Sequence, residues 1–242
     1  MNPIILIPAR KASTRLPNKP LAMIGDEPMI VHVWTRAMEA ELAPVVVACD
    51  DAEIAWVIER AGGKAVMTDA SHVSGSDRIW DALGQIDAQG KHDLIINLQG
   101  DLPTFDPHLL HQLMLPMEDE AVDIATLAAE ITDAAERTAP QVVKPVIAFD
   151  SERQGRAMYF SRASVPTGAG PMYHHIGVYA YRREALKRFV ALPPSALELA
   201  EKLEQLRALE AAMRIDIRVV DTVPLGVDTP EDLEKARKIL AI

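Results

Sequence analysis

The stretch P-I-I-L-I-P-A-R-K-A-S-T-R-L-P-N-K-P, residues 3–20, decides how this chain is read. Its apolar run Ile4–Ile7, with proline on both sides, has the look of a short buried strand. Residues 8–20 then form a polar loop with four bases, Arg10, Lys11, Arg15 and Lys19, and no acid. Beyond it, apolar residues spaced by four (Met29, Val33, Ala37) predict a helix over Pro28–Ala40 with proline in its first turn. Strand, polar loop and helix in that order offer backbone N–H groups and a helix N-terminus to a phosphate. The loop matches neither G-x-x-x-x-G-K-[ST] nor G-x-G-x-x-G, which counts against P-loop hydrolases and Rossmann dehydrogenases. Composition alone fits a solvated basic loop equally well; its place after the first strand is what favours phosphate.

The same alternation continues outward. Pro44–Cys49 reads as a second buried strand, Asp51 as the cap of a helix to Arg60, and Gly62-Gly63 as its end. Lys64–Met67, Ser76–Ile86, Leu94–Leu98 and Pro107–Leu115 follow as strand, helix, strand and helix. Four such repeats with continuously apolar strands predict an α/β fold with a doubly wound, mostly parallel sheet. From residue 121 the order changes. Ile124–Ala128, Val142–Ala148, Ala157–Phe160 and Ile176–Tyr181 are strand candidates with little helix between them, so a mixed-sheet extension is expected in the C-terminal half. Helices are expected at Glu184–Val190 and Ala196–Met213, a strand at Ile215–Val220, and a closing helix over Pro230–Ile242 capped by Thr229.

A net charge of −10 argues against non-specific nucleic-acid binding, so the basic loop is a local reversal of sign. The N-terminus lacks the basic segment of a signal peptide, and no apolar run approaches the ~20 residues that span a bilayer. A cytoplasmic protein without a membrane partner is expected. Cys49, the lone cysteine, ends an apolar strand and reads as a small buried hydrophobe.

Asp101, in N-L-Q-G-D at 97–101, follows the fourth strand, and Asp228, in G-V-D-T-P-E-D-L, follows the last. Ligands of open α/β sheets collect beyond the carboxyl ends of strands. Each aspartate alone suits a turn or a cap. Together, opposite an anion-binding loop, they supply what Mg²⁺ takes: one or two carboxylates beside phosphate oxygens and water. No His/Cys spacing resembles a zinc site, and His174-His175 on one strand would face opposite ways.

These segments resemble the 3-deoxy-manno-octulosonate (KDO) cytidylyltransferases, or CMP-KDO synthetases. The similarity runs through Ile7–Leu21, His72–Arg78, Asn97–Pro103, Val142–Lys144, Met158–Arg162, His175–Arg182, Leu203–Glu210 and Val227–Leu233, in order over most of the chain. The resemblance implies one nucleotidyltransferase domain over 1–242, with a CTP-binding half (1–120) and a sugar-binding and dimerisation half (121–242). It implies the reaction CTP + KDO → CMP-KDO + pyrophosphate, which activates KDO for lipopolysaccharide synthesis, in a homodimer with Mg²⁺. Carried over residue by residue, Pro8, Ala9, Arg10, Ser13, Lys19, Ser74, Gly75 and Arg78 would bind CTP. Arg10, Lys19, Asp101 and Asp228 would be catalytic, the two aspartates holding the metal. Gln99, Arg162, His175, Glu204 and Gln205 would surround the sugar acid; apart from the resemblance, Arg162 reads as a surface cation, His175 as a satisfied core histidine, and Glu204 and Gln205 as an exposed helix face. Two departures stand out: Leu102 replaces the glutamate common after the metal-site aspartate, and the 163–174 stretch is short. They keep an 8-amino KDO analogue open as the acceptor. The loop alone does not separate this family from a sialic-acid or methylerythritol cytidylyltransferase, against which Leu203–Glu210 and His175–Arg182 favour KDO; a non-catalytic nucleotide-sugar binding protein is the remote alternative.

Overall fold

The computed structural model describes residues 1–13 and 15–240, so Thr14 and the last two residues of the expected closing helix lie outside the described residues. The chain divides into two compact units, residues 1–111 with the stretch from Pro224 onward, and Gln112–Val223.

In the first unit, β1 (Pro3–Ala9) runs into the basic loop and a short hairpin, β2 (Met23–Ile24) and β3 (Glu27–Pro28), that the sequence reading did not anticipate. Helix α1 (Met29–Glu39), β4 (Val45–Cys49), α2 (Ala52–Arg60), β5 (Lys64–Met67), α3 (Gly75–Ile86) and β6 (Leu94–Asn97) follow, and α4 (His108–Met114) carries the chain past the end of this stretch at His111. Pro28 is the extended N-cap residue of α1, not part of its first turn. Strand β1 pairs in parallel with β4 on one side and β6 on the other, and β4 pairs in parallel with β5. The chain thus winds outward from β1 through β4 to β5, then returns to β1's other edge. That reversal between β1 and β6 is a topological switch point, where the loops beyond two adjacent strand ends diverge and leave a crevice. Strands β1, β4 and β6 are buried almost throughout, as the continuous apolar runs required. Cys49 is fully buried in β4, and burial pushes its thiol up to about 11, so it packs as a hydrophobe and carries no thiolate at neutral pH.

In the second unit, β7 (Ile124–Glu130), β8 (Lys144–Phe149), β9 (Gln154–Ser161), β10 (Tyr173–Arg182) and β11 (Ile215–Val220) form the mixed sheet, with α5 (Arg183–Ala191) after β10. Strand β7 lies between β10, antiparallel, and β11, parallel; β11 and β8 both pair antiparallel with β9.

The helix expected over Ala196–Met213 is two short ones, α6 (Ala196–Glu201) and α7 (Leu206–Glu210). Lys202 ends α6 in the left-handed conformation (φ 56°). Arg207 then folds back, its Nε and Nη2 donating to the two Glu198 oxygens at 2.8 and 2.6 Å. In one continuous helix those residues would be roughly 13.5 Å apart along the axis on opposite faces, beyond the reach of this pairing. The bidentate bridge is half of a turn that helix propensity alone does not register.

The chain closes with α8 (Pro230–Leu240), which belongs to the first unit together with Asp228; a division at residue 120 would have put both in the other half. Thr229 caps it, its Oγ1 accepting from the Asp232 N–H at 3.2 Å. Among the described residues no helix is long and apolar enough to cross a membrane.

Candidate functional site

The crevice at the switch point is a cleft of about 740 Å³ whose lining includes the basic loop, the first turn of α3, Gln99–Asp101 and Asp228. One apolar cluster explains why segments so distant in sequence meet here. Leu16 of the loop, Ile24 of the hairpin, Met29 of α1, Val227, and Leu233 and Ala236 of α8 are buried together. Burying a side chain of this size contributes about 1.5–3 kcal/mol, enough to hold the loop and the C-terminal segment as one body. Two hydrogen bonds complete the join, Val227 N–H to the Asp101 carbonyl (2.9 Å) and Leu225 N–H to Thr104 Oγ1 (3.1 Å). Leu102 is buried and lies beside Gly226. It seals this joint with apolar surface and adds no charge to the cleft.

Two glycines let backbones approach. A Cβ on Gly100 would lie 2.8 Å from the Pro8 carbonyl oxygen, and one on Gly75 would lie 3.1 Å from Pro8 Cγ. The end of β1, the end of β6 and the start of α3 therefore close on one point.

Lys19 occupies the centre. Its Nζ donates to Asp101 Oδ2 at 2.7 Å and to Asp228 Oδ1 at 2.9 Å, residues 82 and 209 positions away. Burial lowers the ammonium's pKa, but the Asp101 charge and the bonds to both carboxylates outweigh it, so the pKa ends above the usual lysine value. It is charged throughout the neutral range. Arg15 Nη2 reaches the other Asp228 oxygen at 3.0 Å, a contact the sequence reading did not assign. Arg10, exposed at the mouth, lines the same cleft and has no ion-pair partner among the described residues. Ser13 Oγ accepts from the Leu16 N–H (3.4 Å), and Ser74 caps α3 by accepting from the Asp77 N–H (3.1 Å).

Arg78 lines the cleft but is almost wholly buried, bound to Asp50 and Thr68. His72, at the cleft wall, bonds to Asp81 at 2.8 Å. Asp50, Thr68 and Asp81 lie outside the recognisable motifs, at strand ends or one helical turn further on. Only the fold reveals them.

Of the expected sugar-side residues, Gln99 lies in the first unit at the cleft, its amide donating to Asn97 Oδ1 at 3.2 Å. The other four gather within the second unit. Arg162 spends Nε, Nη1 and Nη2 on the carbonyls of Glu201, Pro140 and Lys202, clamping the turn before α7. Glu204 and Gln205 belong to that turn, Glu204 partly exposed and Gln205 buried. They are not the exposed helix face that was one of their readings. His175 is buried in β10, its Nε2 in a hydrogen bond with Thr126 Oγ1 (3.0 Å) and its ring edge-on to Phe160. His174 instead meets Glu136 at 3.1 Å, so the two histidines do face opposite ways.

Burial, and then the neighbouring His174, push the His175 pKa down from 6.5 to about 3. The folded ring therefore stays neutral while the unfolded one titrates near 6.5. Between those values the unfolded state binds one more proton, so stability drops as pH falls, by about 1.4 kcal/mol per unit from this group. We expect His175→Gln to have a lower urea midpoint at neutral pH but a shallower decline toward about pH 5. Parallel curves for the two proteins would remove His175 from the acid response.

A family model described as Cytidylyltransferase matches residues 4–215. A 3-deoxy-manno-octulosonate cytidylyltransferase of Paramagnetospirillum magneticum is 59% identical over 99% of this chain and 98% of its own length. One from Methylobacterium radiotolerans is 61% identical over 99% of this chain and 97% of its own length. The chain belongs to the 3-deoxy-manno-octulosonate cytidylyltransferase family. A solved structure of CMP:2-keto-3-deoxy-manno-octonic acid synthetase complexed with CTP is 41% identical, with a TM-score of 0.92 over 100% of this chain and 99% of the other. A cytidylyltransferase from Leptospira borgpetersenii, 17% identical with a TM-score of 0.64, shares the fold. For members of the cytidylyltransferase family, a cleft with a cationic loop facing two aspartates is chemically apt: one side suits a polyphosphate and the other a divalent cation.

Proposed function

We infer that this chain transfers the cytidylyl group of CTP to KDO, giving CMP-KDO and pyrophosphate. The single observation that carries the reading is the convergence of Lys19, Asp101 and Asp228 in the cleft beside Arg10, in a family whose 41%-identical member was solved with CTP. The triphosphate lies against Arg10, Lys19 and the loop amides of Pro8–Ser13, and the cytosine against Ser74 and Gly75 at the start of α3. Gln99 contacts the sugar acid in this cleft; within the second unit, Glu204 stands partly exposed on the turn before α7. Arg162 and His175, whose polar groups are already engaged by protein, hold that part of the second unit in shape.

The donor set fits Mg²⁺. Two carboxylates already converge on one cationic nitrogen, and a hard divalent cation takes such oxygens together with phosphate oxygens and water. Asp101 and Asp228 would hold it, and when bound it would neutralise phosphate charge and polarise the α-phosphate. The chain's own work is positioning and charge. The basic loop fixes the triphosphate so that the anomeric hydroxyl of KDO meets the α-phosphorus in line with the leaving oxygen. Arg10 and Lys19 face the charge that grows on pyrophosphate. The α-phosphorus–oxygen bond to pyrophosphate breaks as the bond to the sugar oxygen forms, and the hydroxyl proton leaves to solvent or product.

The active form is a homodimer: Met158, Phe149 and Leu199 of the second unit are large apolar side chains left exposed, and burying them against a second copy removes that surface from water. The reading places the enzyme in the cytoplasm, where CTP is made, upstream of lipopolysaccharide assembly.

Pyrophosphate release measured with CTP, Mg²⁺ and a panel of acidic sugars tests this. Turnover is expected with KDO and is lost on chelation. Turnover with sialic acid but not with KDO or its 8-amino analogue would overturn the sugar assignment.

A further inference from the structure

Asp50, the first residue beyond β4, lies in none of the segments that carry the nucleotide, yet both its carboxylate oxygens are engaged by them. Oδ1 accepts the backbone N–H of Lys11 at 2.9 Å, and Oδ2 accepts Nη2 of Arg78 at 3.2 Å. The Arg78 side chain is 3% exposed and that of Asp50 9%, so this is a buried pair. Arg78 Nη1 donates to Thr68 Oγ1 at 2.7 Å, and the Thr68 hydroxyl donates onward to the Cys49 carbonyl at 3.0 Å. Each link returns to the end of β4.

What Asp50 joins is informative. Lys11 follows Arg10 in the basic loop, and its own ammonium is tied to Asp51 and Glu53 at the start of α2, at 3.0 and 3.1 Å. Arg78 is in the first turn of α3, where its backbone N–H bonds to the Ser74 carbonyl. One carboxylate thus fixes the start of the phosphate loop and the helix turn beside the base-side residues. Because it is charged and shielded from water, each contact is stronger and more directional than a neutral surface bond. It also holds the guanidinium of Arg78 at the cleft wall in advance, so that no reorganisation is needed when an anion arrives.

We propose that Asp50 is a positioning residue for the nucleotide: it sets the spacing between the phosphate loop and α3, acting through the Lys11 amide and Arg78 and touching no substrate. This rests on the reading of the cleft as the CTP site. Asp50→Asn keeps the shape but replaces one acceptor by a donor and removes the charge facing Arg78. The expected result is a KM for CTP raised at least about tenfold, a kcat changed much less, and a KM for KDO unchanged. A purely structural role would instead weaken both substrates together as the fold loosens.

Breaking one side of a buried pair can prevent folding, whereas removing both partners strands no charge. The double variant Asp50→Leu/Arg78→Met is therefore the second arm, and the same selective rise in the KM for CTP is expected from it. In soluble protein of either kind, an unchanged KM for CTP, or equal losses for both substrates, would overturn the proposal. Lys19→Ala in the same assay separates the two readings. If it raises the KM for CTP while Asp50→Asn does not, only the role of Asp50 falls. If neither variant raises it, the assignment of the cleft falls as well.

Discussion

Asp101→Asn lowers the rate of CMP-KDO formation by two to three orders of magnitude while leaving the melting temperature nearly unchanged; that is the expected result. Asparagine keeps the shape and one acceptor oxygen but removes the charge from one of the two carboxylates that line the cleft among the described residues. The loss of one preorganised electrostatic contact at a reacting phosphate is about 3–4 kcal/mol of barrier. Stability should hardly respond, because the Lys19–Asp101 pair is partly exposed (17% and 33%) and such pairs contribute about 1 kcal/mol or less after solvent screening. Asp228, more exposed at 46%, should behave alike. Single-turnover pyrophosphate release and a thermal melt on the same protein check both halves. A variant retaining a third of wild-type activity would remove Asp101 from the metal site and return it to a turn residue.

Lys19→Met should produce two changes in opposite directions. Activity falls at least about a hundredfold, because the triphosphate loses a charge held at the centre of the site. At the same time, the nucleotide-free protein should bind Mn²⁺ more tightly than wild type does. The reason is the geometry of the site: one ammonium bonds to both aspartates, at 2.7 and 2.9 Å. A divalent cation taking those oxygens is expected to compete with the Lys19 ammonium, which the phosphates of an arriving nucleotide would draw away. Methionine fills similar space with no charge, so two carboxylates are left facing each other with Arg15 as their remaining cation. Mn²⁺ titration followed by electron paramagnetic resonance, with and without CTP, reads this without turnover. Equal Mn²⁺ affinity in the two nucleotide-free proteins would show that Lys19 does not compete for the aspartates.

Local chemistry carried much of this protein. The apolar run of β1, the acid-free loop after it and the alternation that follows are short-range patterns, so the parallel sheet and the place of the basic loop at the end of its first strand were both readable from residue order. Asp101 was legible for the same reason, since a strand end in such a sheet is a ligand-facing position whatever surrounds it. Thr229 at the head of α8 is likewise a local signal, and it is realised.

What the tertiary structure decided depends on residues far apart. Sequence alone named KDO by resemblance, through residues 158–182 and 203–210, but could not show that Arg162 is spent on three carbonyls or that His175 is sealed against Thr126. The break at Lys202 was invisible because Leu, Glu and Ala all favour helix; the bidentate grip of Arg207 on Glu198 outweighs that weak preference once both are nearly out of water. Nor does any pattern near residue 19 reveal that its ammonium lies between Asp101 and Asp228. That meeting is made by burying Leu16, Val227 and Leu233 in one apolar cluster. Hydrophobic burial has no direction along the chain, so it brings together what residue order keeps apart, and the loop that could be recognised as cationic became, in the fold, one half of a charge-paired site.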